Sequence, residues 1–113
     1  MPARRSWLVE YLAEAVVELH TTAHKEQLGV LSAVDKLVAL GPSLRPPHMK
    51  SLKGQPNLME LRPRQGSSPV RPIYARFDDA FKILVIATKN DFDDALKTAR
   101  KRAAQYDIPL DRS

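Results

Sequence analysis

The sequence contains no cysteine, which excludes a disulfide scaffold and any zinc site built on thiolates. The same lack points to a reducing compartment. No apolar run approaches the length of a membrane span. The amino terminus, Met1-Pro2-Ala3-Arg4-Arg5-Ser6-Trp7, has basic residues without an apolar stretch behind them. Glu10, Glu14 and Glu18 interrupt the next segment, so no signal peptide is expected. Internal repeats and low-complexity segments are absent as well. Acids almost vanish from the middle of the chain. Between Arg45 and Arg76 the only one is Glu60, set against Arg45, Lys50, Lys53, Arg62, Arg64, Arg71 and Arg76. This middle third therefore supplies the whole formal charge of +5. Cations held this close repel one another in a folded protein, and a polyanionic partner is the natural reason to keep them together. The alternative is a solvated basic surface.

The chain has 113 residues, of which 43% are apolar and 27% charged. That is one globular domain spanning 1–113, with loose termini at 1–6 and 107–113. A small, basic, cytoplasmic protein without membrane attachment is the expectation.

Trp7-Leu8-Val9-Glu10-Tyr11 fits a strand through Trp7, Val9 and Tyr11. It fits the start of a helix equally well through Leu8, Tyr11, Leu12 and Ala15. Leu12 to His20 reads as helix, broken at Thr21-Thr22. A second helix runs from Ala23 to Leu40. Its apolar positions Leu28, Leu31, Val34, Leu37 and Val38 recur at three and four, predicting one buried stripe, with Lys25, Glu26, Asp35 and Lys36 on the other side. Gly41-Pro42 ends it. Residues 42–57 form a long Pro-, Gly- and Ser-rich basic connection, a length that is often functional.

Three strands are expected next: Leu58 to Arg62, Val70 to Phe77 and Phe81 to Thr88. A flexible turn at Arg64-Gln65-Gly66-Ser67-Ser68-Pro69 and a tight one at Asp78-Asp79 separate them. The run Phe-Lys-Ile-Leu-Val-Ile-Ala-Thr suits a strand covered on both faces. Asn90-Asp91 caps a last helix to Tyr106, acidic at its start and basic toward its end, as the helix dipole favours. The order is α+β: a small antiparallel sheet, helices packed on one face, and a basic face left free.

With Leu40-Gly41-Pro42, Pro47-His48-Met49-Lys50-Ser51-Leu52-Lys53-Gly54, Asn57-Leu58-Met59-Glu60-Leu61-Arg62 and Arg71-Pro72-Ile73-Tyr74 in this order, the chain resembles the RelE/HigB superfamily of bacterial toxins, in its phage Gp49-like branch. Lys89 and a last helix carrying Ala99 and Arg102 fit too. The resemblance covers nearly everything after Trp7. It implies a RelE-like fold with two N-terminal helices on one face of the sheet and a C-terminal helix. It implies the toxin of a type II toxin–antitoxin system: an mRNA endoribonuclease acting on the translating ribosome, without metal or cofactor. The implied partners are mRNA, the ribosome and an antitoxin of helix-turn-helix type. In such a reaction the RNA 2′-hydroxyl loses its proton and attacks the adjacent phosphate, and the P–O bond to the next nucleotide breaks as its leaving oxygen takes up a proton.

The resemblance places Arg71 on the scissile phosphate, where a planar, permanently charged fork suits growing negative charge. Arg62 on the neighbouring strand shares that role. Neither guanidinium loses its proton, so the base would be a lysine with depressed pKa, from Lys50, Lys53 or Lys89, or the imidazole of His48. Arg71, Arg62 and Lys89 are the candidate catalytic residues. His48, Lys50, Lys53, Arg64, Tyr74 and Arg76 are the candidate RNA-binding ones. Two departures stand out. Some RelE-type enzymes carry lysines where this chain has Leu58 and Glu60, and an aromatic acid where it offers Phe92 or Leu96. The general acid and base are therefore unassigned, and two alternatives stay open: a ParE-like gyrase inhibitor without catalysis, and a nucleic-acid-binding module with a decayed active site. Strict alternation also sets Arg71 beside the core-like Ile73, Ala75 and Phe77, unless Pro72 marks a bulge that resets the parity. His20 and His24 lie four residues apart but lack an acidic partner pattern, so no metal site is expected.

Overall fold

The computed structural model describes residues 6–111. The expectations for residues 1–5 and 112–113 lie outside it. Five strands form one sheet in the order β1-β5-β4-β3-β2. They are β1 (Leu8–Tyr11), β2 (Met49–Ser51), β3 (Met59–Leu61), β4 (Val70–Phe77) and β5 (Ala80–Thr88). The helices are α1 (Ala13–His20), α2 (His24–Leu40) and α3 (Phe92–Gln105). This is the expected α+β arrangement, antiparallel except where β1 pairs parallel to β5.

The ambiguous first segment is a strand. Its fate is decided by pairing with a strand about seventy residues away, a contact that local periodicity cannot register. The long basic connection also contains a strand, β2, which pairs with β3 and leaves its outer edge open.

β4 and β5 form the closed half of the sheet. On one side Tyr74, Phe81 and Ile83 are buried, and on the other Ile73, Ala75 and Val85. The free face expected from the sequence is therefore confined to the β2–β3 end. Trp7 packs edge-on against Phe81 at 6.0 Å, and Phe81 against Tyr74 at 5.8 Å. α2 lies on this side, with its Val38 carbonyl accepting from the Trp7 N–H. Gly41 closes the helix at φ +52°, and a Cβ there would stand 2.4 Å from the indole Nε1. Only glycine fits that corner.

The buried face of α2 keeps Val34 and Leu37 of the expected stripe but not Leu28 and Leu31. Glu26, Gly29, Val30, Ala33, Val34 and Leu37 face inward, while Leu28 and Leu31 are about half exposed. Small residues let the helix approach the turn after β3, where Gly29 meets Pro63. α3 packs Ala95, Ala99 and Ala103 inward. Its end is tied to α1 by Arg102, whose Nη2 lies 2.6 Å from Glu18 Oε2. Arg102 also donates to the Leu84 carbonyl, and Glu18 accepts from the Ile86 N–H. Within the tail expected to be loose from residue 107, Ile108 is buried and the Pro109 carbonyl accepts from Asn57. No described helix is long and apolar enough to cross a membrane.

Candidate nucleic-acid interface

Side chains on a strand alternate between faces, so register assigns each basic residue to a side. Lys50 pairs with Glu60, and Glu60 with Ile73. Two residues along from these partners stand Arg62 and Arg71. Lys50, Glu60, Arg62 and Arg71 therefore share one face at the open end of the sheet. Tyr74 pairs with Met59 and takes the other face, together with Arg76. A bulge does interrupt the β4–β5 ladder between Ile73 and Tyr74, but the unpaired residue is Leu84 on β5. The alternation of β4 runs on unbroken, and Arg71 stays beside Ile73.

Arg71 is sealed. It is 4% exposed, and its guanidinium donates to the carbonyls of Ser68, Val70 and Gly66. Burial, aided by the charge of Arg62, pulls its pKa below the usual arginine value, while Glu60 partly opposes this. It remains a cation at neutral pH. Arg62 is the accessible one. Its side chain is 30% exposed and sits 3.6 Å from the buried Glu60 carboxylate. Both arginines meet at Gly66. Arg71 bonds its carbonyl at 2.9 Å, and the Arg62 Nη2 lies 3.0 Å from where a Gly66 Cβ would stand. Gly66 has φ +95°, so a side chain there would strain the backbone and crowd Arg62 as well.

The turn that carries Gly66, expected as a flexible one, is tied by side-chain hydrogen bonds. Arg64 and Gln65 take left-handed backbone angles, at φ 53° and 59°. Such conformations cost free energy and persist only where surroundings enforce them. The enforcing group is Glu26 on α2, itself 9% exposed. Its Oε1 accepts from the Arg64 guanidinium and from the Ser68 hydroxyl, and Ser68 Oγ in turn accepts from the Val70 N–H at 3.0 Å. Periodicity sets Glu26 on the solvated side of its helix, so this tie is invisible in the sequence. The only signal for it is the dearth of other acids to balance Arg64.

The remaining candidates disperse. Lys89 is exposed just past β5, its N–H donating to the Pro69 carbonyl at 2.9 Å, two residues from Arg71. Lys53 is exposed in the turn between β2 and β3. His48 leaves the arginine face and turns to α2, its Nδ1 3.4 Å from Lys36 Nζ. Arg76 stacks over Trp7 at 5.4 Å on the opposite side of the sheet. Tyr74 is buried there, and burial pushes its phenol well above the ordinary range. The two line an apolar cleft of about 360 Å³ with Met49, Met59, Leu44 and Phe81.

Comparison with known proteins fits this architecture. The family model described as "Phage derived protein Gp49-like" matches residues 17–105. The chain belongs to the phage-derived Gp49-like family. Two solved structures show that this member has the RelE fold. A doubly arginine-substituted mutant of the E. coli toxin RelE in the free state is similar at 15% identity and a TM-score of 0.69, over 86% of this chain and 97% of that one. The archaeal RelE–RelB complex from Pyrococcus horikoshii gives 24% identity and a TM-score of 0.56, over 74% and 96%. No protein of curated function matches by sequence. In this Gp49-like chain, two of the motifs that carry the resemblance converge on one place. The Asn57–Arg62 run supplies β3 with Glu60 and Arg62, and the Arg71–Tyr74 run supplies the sealed arginine behind them.

Proposed function

We propose that this Gp49-like protein is the toxin of a type II toxin–antitoxin pair, cleaving mRNA on the translating ribosome in the cytoplasm. The observation that carries the reading is the paired-arginine face on a RelE fold: Arg62 accessible, Arg71 locked behind it, and Lys50 alongside. Arg62 would meet the phosphate, where its fork stabilises charge as the 2′-hydroxyl attacks. Glu60 holds the Arg62 guanidinium from the buried side and limits its freedom. Arg71 is 4% exposed and gives three of its N–H groups to carbonyls of the turn at 66–70, so its part is to hold that turn and add positive potential. Lys50 stands on this face, Lys89 lies just past β5 where its N–H bonds Pro69, and Lys53 lies in the turn that joins β2 to β3. A proton acceptor for the nucleophile would come from these lysines.

A second reading comes from how thoroughly Arg71 is engaged. A face with one accessible arginine and no fixed acid–base pair also suits a ParE-like binder that inhibits gyrase without chemistry. Induction of the protein alone, with mapping of mRNA 5′ ends, separates the two. New ends inside coding sequences during translation are expected. Intact transcripts with an induced DNA-damage response would transfer the reading to gyrase. The RelB chain in the archaeal complex supports a cognate antitoxin here, and co-expression with the neighbouring gene product should restore growth.

A further inference from the structure

Lys36, which has no role in the interface described above, lines a polar cavity of about 250 Å³ between α2 and the turn at 63–66. Gly29, Ser32, His48, Arg64 and Gln65 complete most of its wall. We infer that this cavity is a phosphate subsite, occupied by a backbone phosphodiester of the single-stranded RNA whose neighbouring nucleotides lie on the Arg62 face.

Three observations carry this. The first is the polarity of the groups. Lys36 Nζ lies 3.4 Å from His48 Nδ1. Ammonium has only protons to give, so the imidazole accepts there, and its own proton sits on Nε2. His48 Nε2–H, two remaining Lys36 protons and the unshared donors of Arg64 are then all donors. An acceptor-only anion is their complement, and in single-stranded RNA that group is the backbone phosphodiester. The second is the charge balance. Glu26 holds the Arg64 guanidinium and offsets its charge, so Lys36 supplies the net attraction. The third is the shared turn. Arg64 and Gln65 line the cavity, while Gly66, the next residue, abuts Arg62. One strand of RNA passing over this turn meets Arg62 on one side and Lys36 on the other. The ligand class rests on the nuclease reading above; the anion site itself does not.

The test has two arms. In the first, inorganic phosphate is titrated into the intact protein while the ring protons of its three histidines are tracked by NMR, with His48→Gln giving the assignment. The His48 signals should move in the wild type and stay still in Lys36→Ala, with acetate at equal ionic strength as the control. No movement in the wild type, or equal movement with acetate, overturns the site. In the second arm, binding of a short non-cleavable 2′-deoxy-substituted oligoribonucleotide is measured against salt. Lys36→Ala should reduce the slope of log K against log salt by about 0.7, one phosphate's share for a single strand. An unchanged slope with wild-type RNA binding intact overturns RNA as the occupant. A wild type that takes phosphate but no RNA defeats the nuclease reading and the RNA subsite together, and leaves a free-anion site. Lys36 is exposed, so its removal leaves the fold in place.

Discussion

The two halves of the sheet are built to opposite ends. In the β4–β5 half nearly every side chain is buried on whichever face it points to, and the sealed arginine there is turned against backbone carbonyls. In the β2–β3 half the strands are three residues each, the outer edge is open, and charged side chains stand in the half-buried zone. The first half holds its shape by burial. The second buries Leu58 and Leu61 but leaves Lys50 exposed, and the turn that follows β3 is tied by Glu26, brought over from α2. A rigid sheet thus carries an accessible arginine without the helix covering it.

Breaking the closed half should give the largest effect. Phe81 is 3% exposed and meets two aromatic rings. Phe81→Ala should cost about 3–5 kcal/mol, the usual range for a buried phenylalanine. Lys50→Ala in the open half should stay within about 0.5 kcal/mol. Urea midpoints for the two variants check this, and comparable losses would erase the distinction between the halves.

The arginines sharpen the same contrast at the level of rate. Arg62→Ala should slow RNA cleavage by about 10²–10³, as for loss of one charge-stabilising donor, with RNA affinity changed far less. Arg71→Ala should instead first appear as lost stability, because three carbonyls lose their donor. Hydrogen bonds to charged groups are worth about 1.5–3 kcal/mol each. Arg71→Lys keeps charge without the fork and should recover part of the stability. A fully stable, inactive Arg71→Ala protein would show that Arg71 reaches the phosphate itself.

A smaller loss is expected at the tie between the halves. Glu26→Ala leaves the Ser68 hydroxyl and the Arg64 guanidinium without their shared acceptor. That should cost about 1–3 kcal/mol and speed hydrogen exchange at the Val70 N–H. Glu26→Gln, which keeps an acceptor oxygen, should lose less. Unchanged exchange in both variants would mean that the left-handed turn stands without Glu26.

The elements of the closed half are legible in the sequence because each obeys one local rule. β4 and β5 read as apolar runs around Asp78-Asp79, and the limits of β4 match residue for residue. The features that escape depend on distant groups. β1 owes its state to β5, and β2 to β3. Periodicity draws the α2 stripe through Leu28 and Leu31 because it weighs hydrophobicity alone. The structure instead turns Gly29, Ala33 and Glu26 inward, to fit Pro63 and to satisfy a turn about forty residues on. The same blindness affects the site. The basic cluster is visible as composition. Alternation along β4 also sets Arg71 and Arg76 on opposite faces, but the pairing of β3 with β4 and the Lys36 cavity are not legible, since they depend on register and on the direction in which His48 leaves the sheet.

The smallest effect should come from a surface tie that mimics the buried one beside it. Arg102 and Glu18 join α3 to α1 in a half-buried setting, and one turn away Tyr106 donates to Glu14 at 2.8 Å on the exposed rim. A hydrogen bond within its own backbone, and then the Tyr106 hydroxyl, hold the Glu14 carboxyl below its usual range. A lowered folded-state pKa contributes stability above the unfolded-chain value, and that contribution fades as pH falls through the folded value. Tyr106 shifts upward for the matching reason, because its proton is held by the carboxylate. Its contribution is present below the ordinary tyrosine pKa and fades as pH rises through the folded value. Tyr106→Phe should therefore flatten the acid limb of a Tm-against-pH curve slightly and leave the neutral plateau almost unmoved, since both groups are solvated. Glu14→Gln should flatten it further, because it removes the backbone bond to a charged acceptor as well. If Tyr106→Phe lowered Tm as much as Arg102→Ala, the end of α3 would depend on its rim as much as on its half-buried ion pair, and the rule that burial sets the worth of a tie would fail at this edge of the sheet.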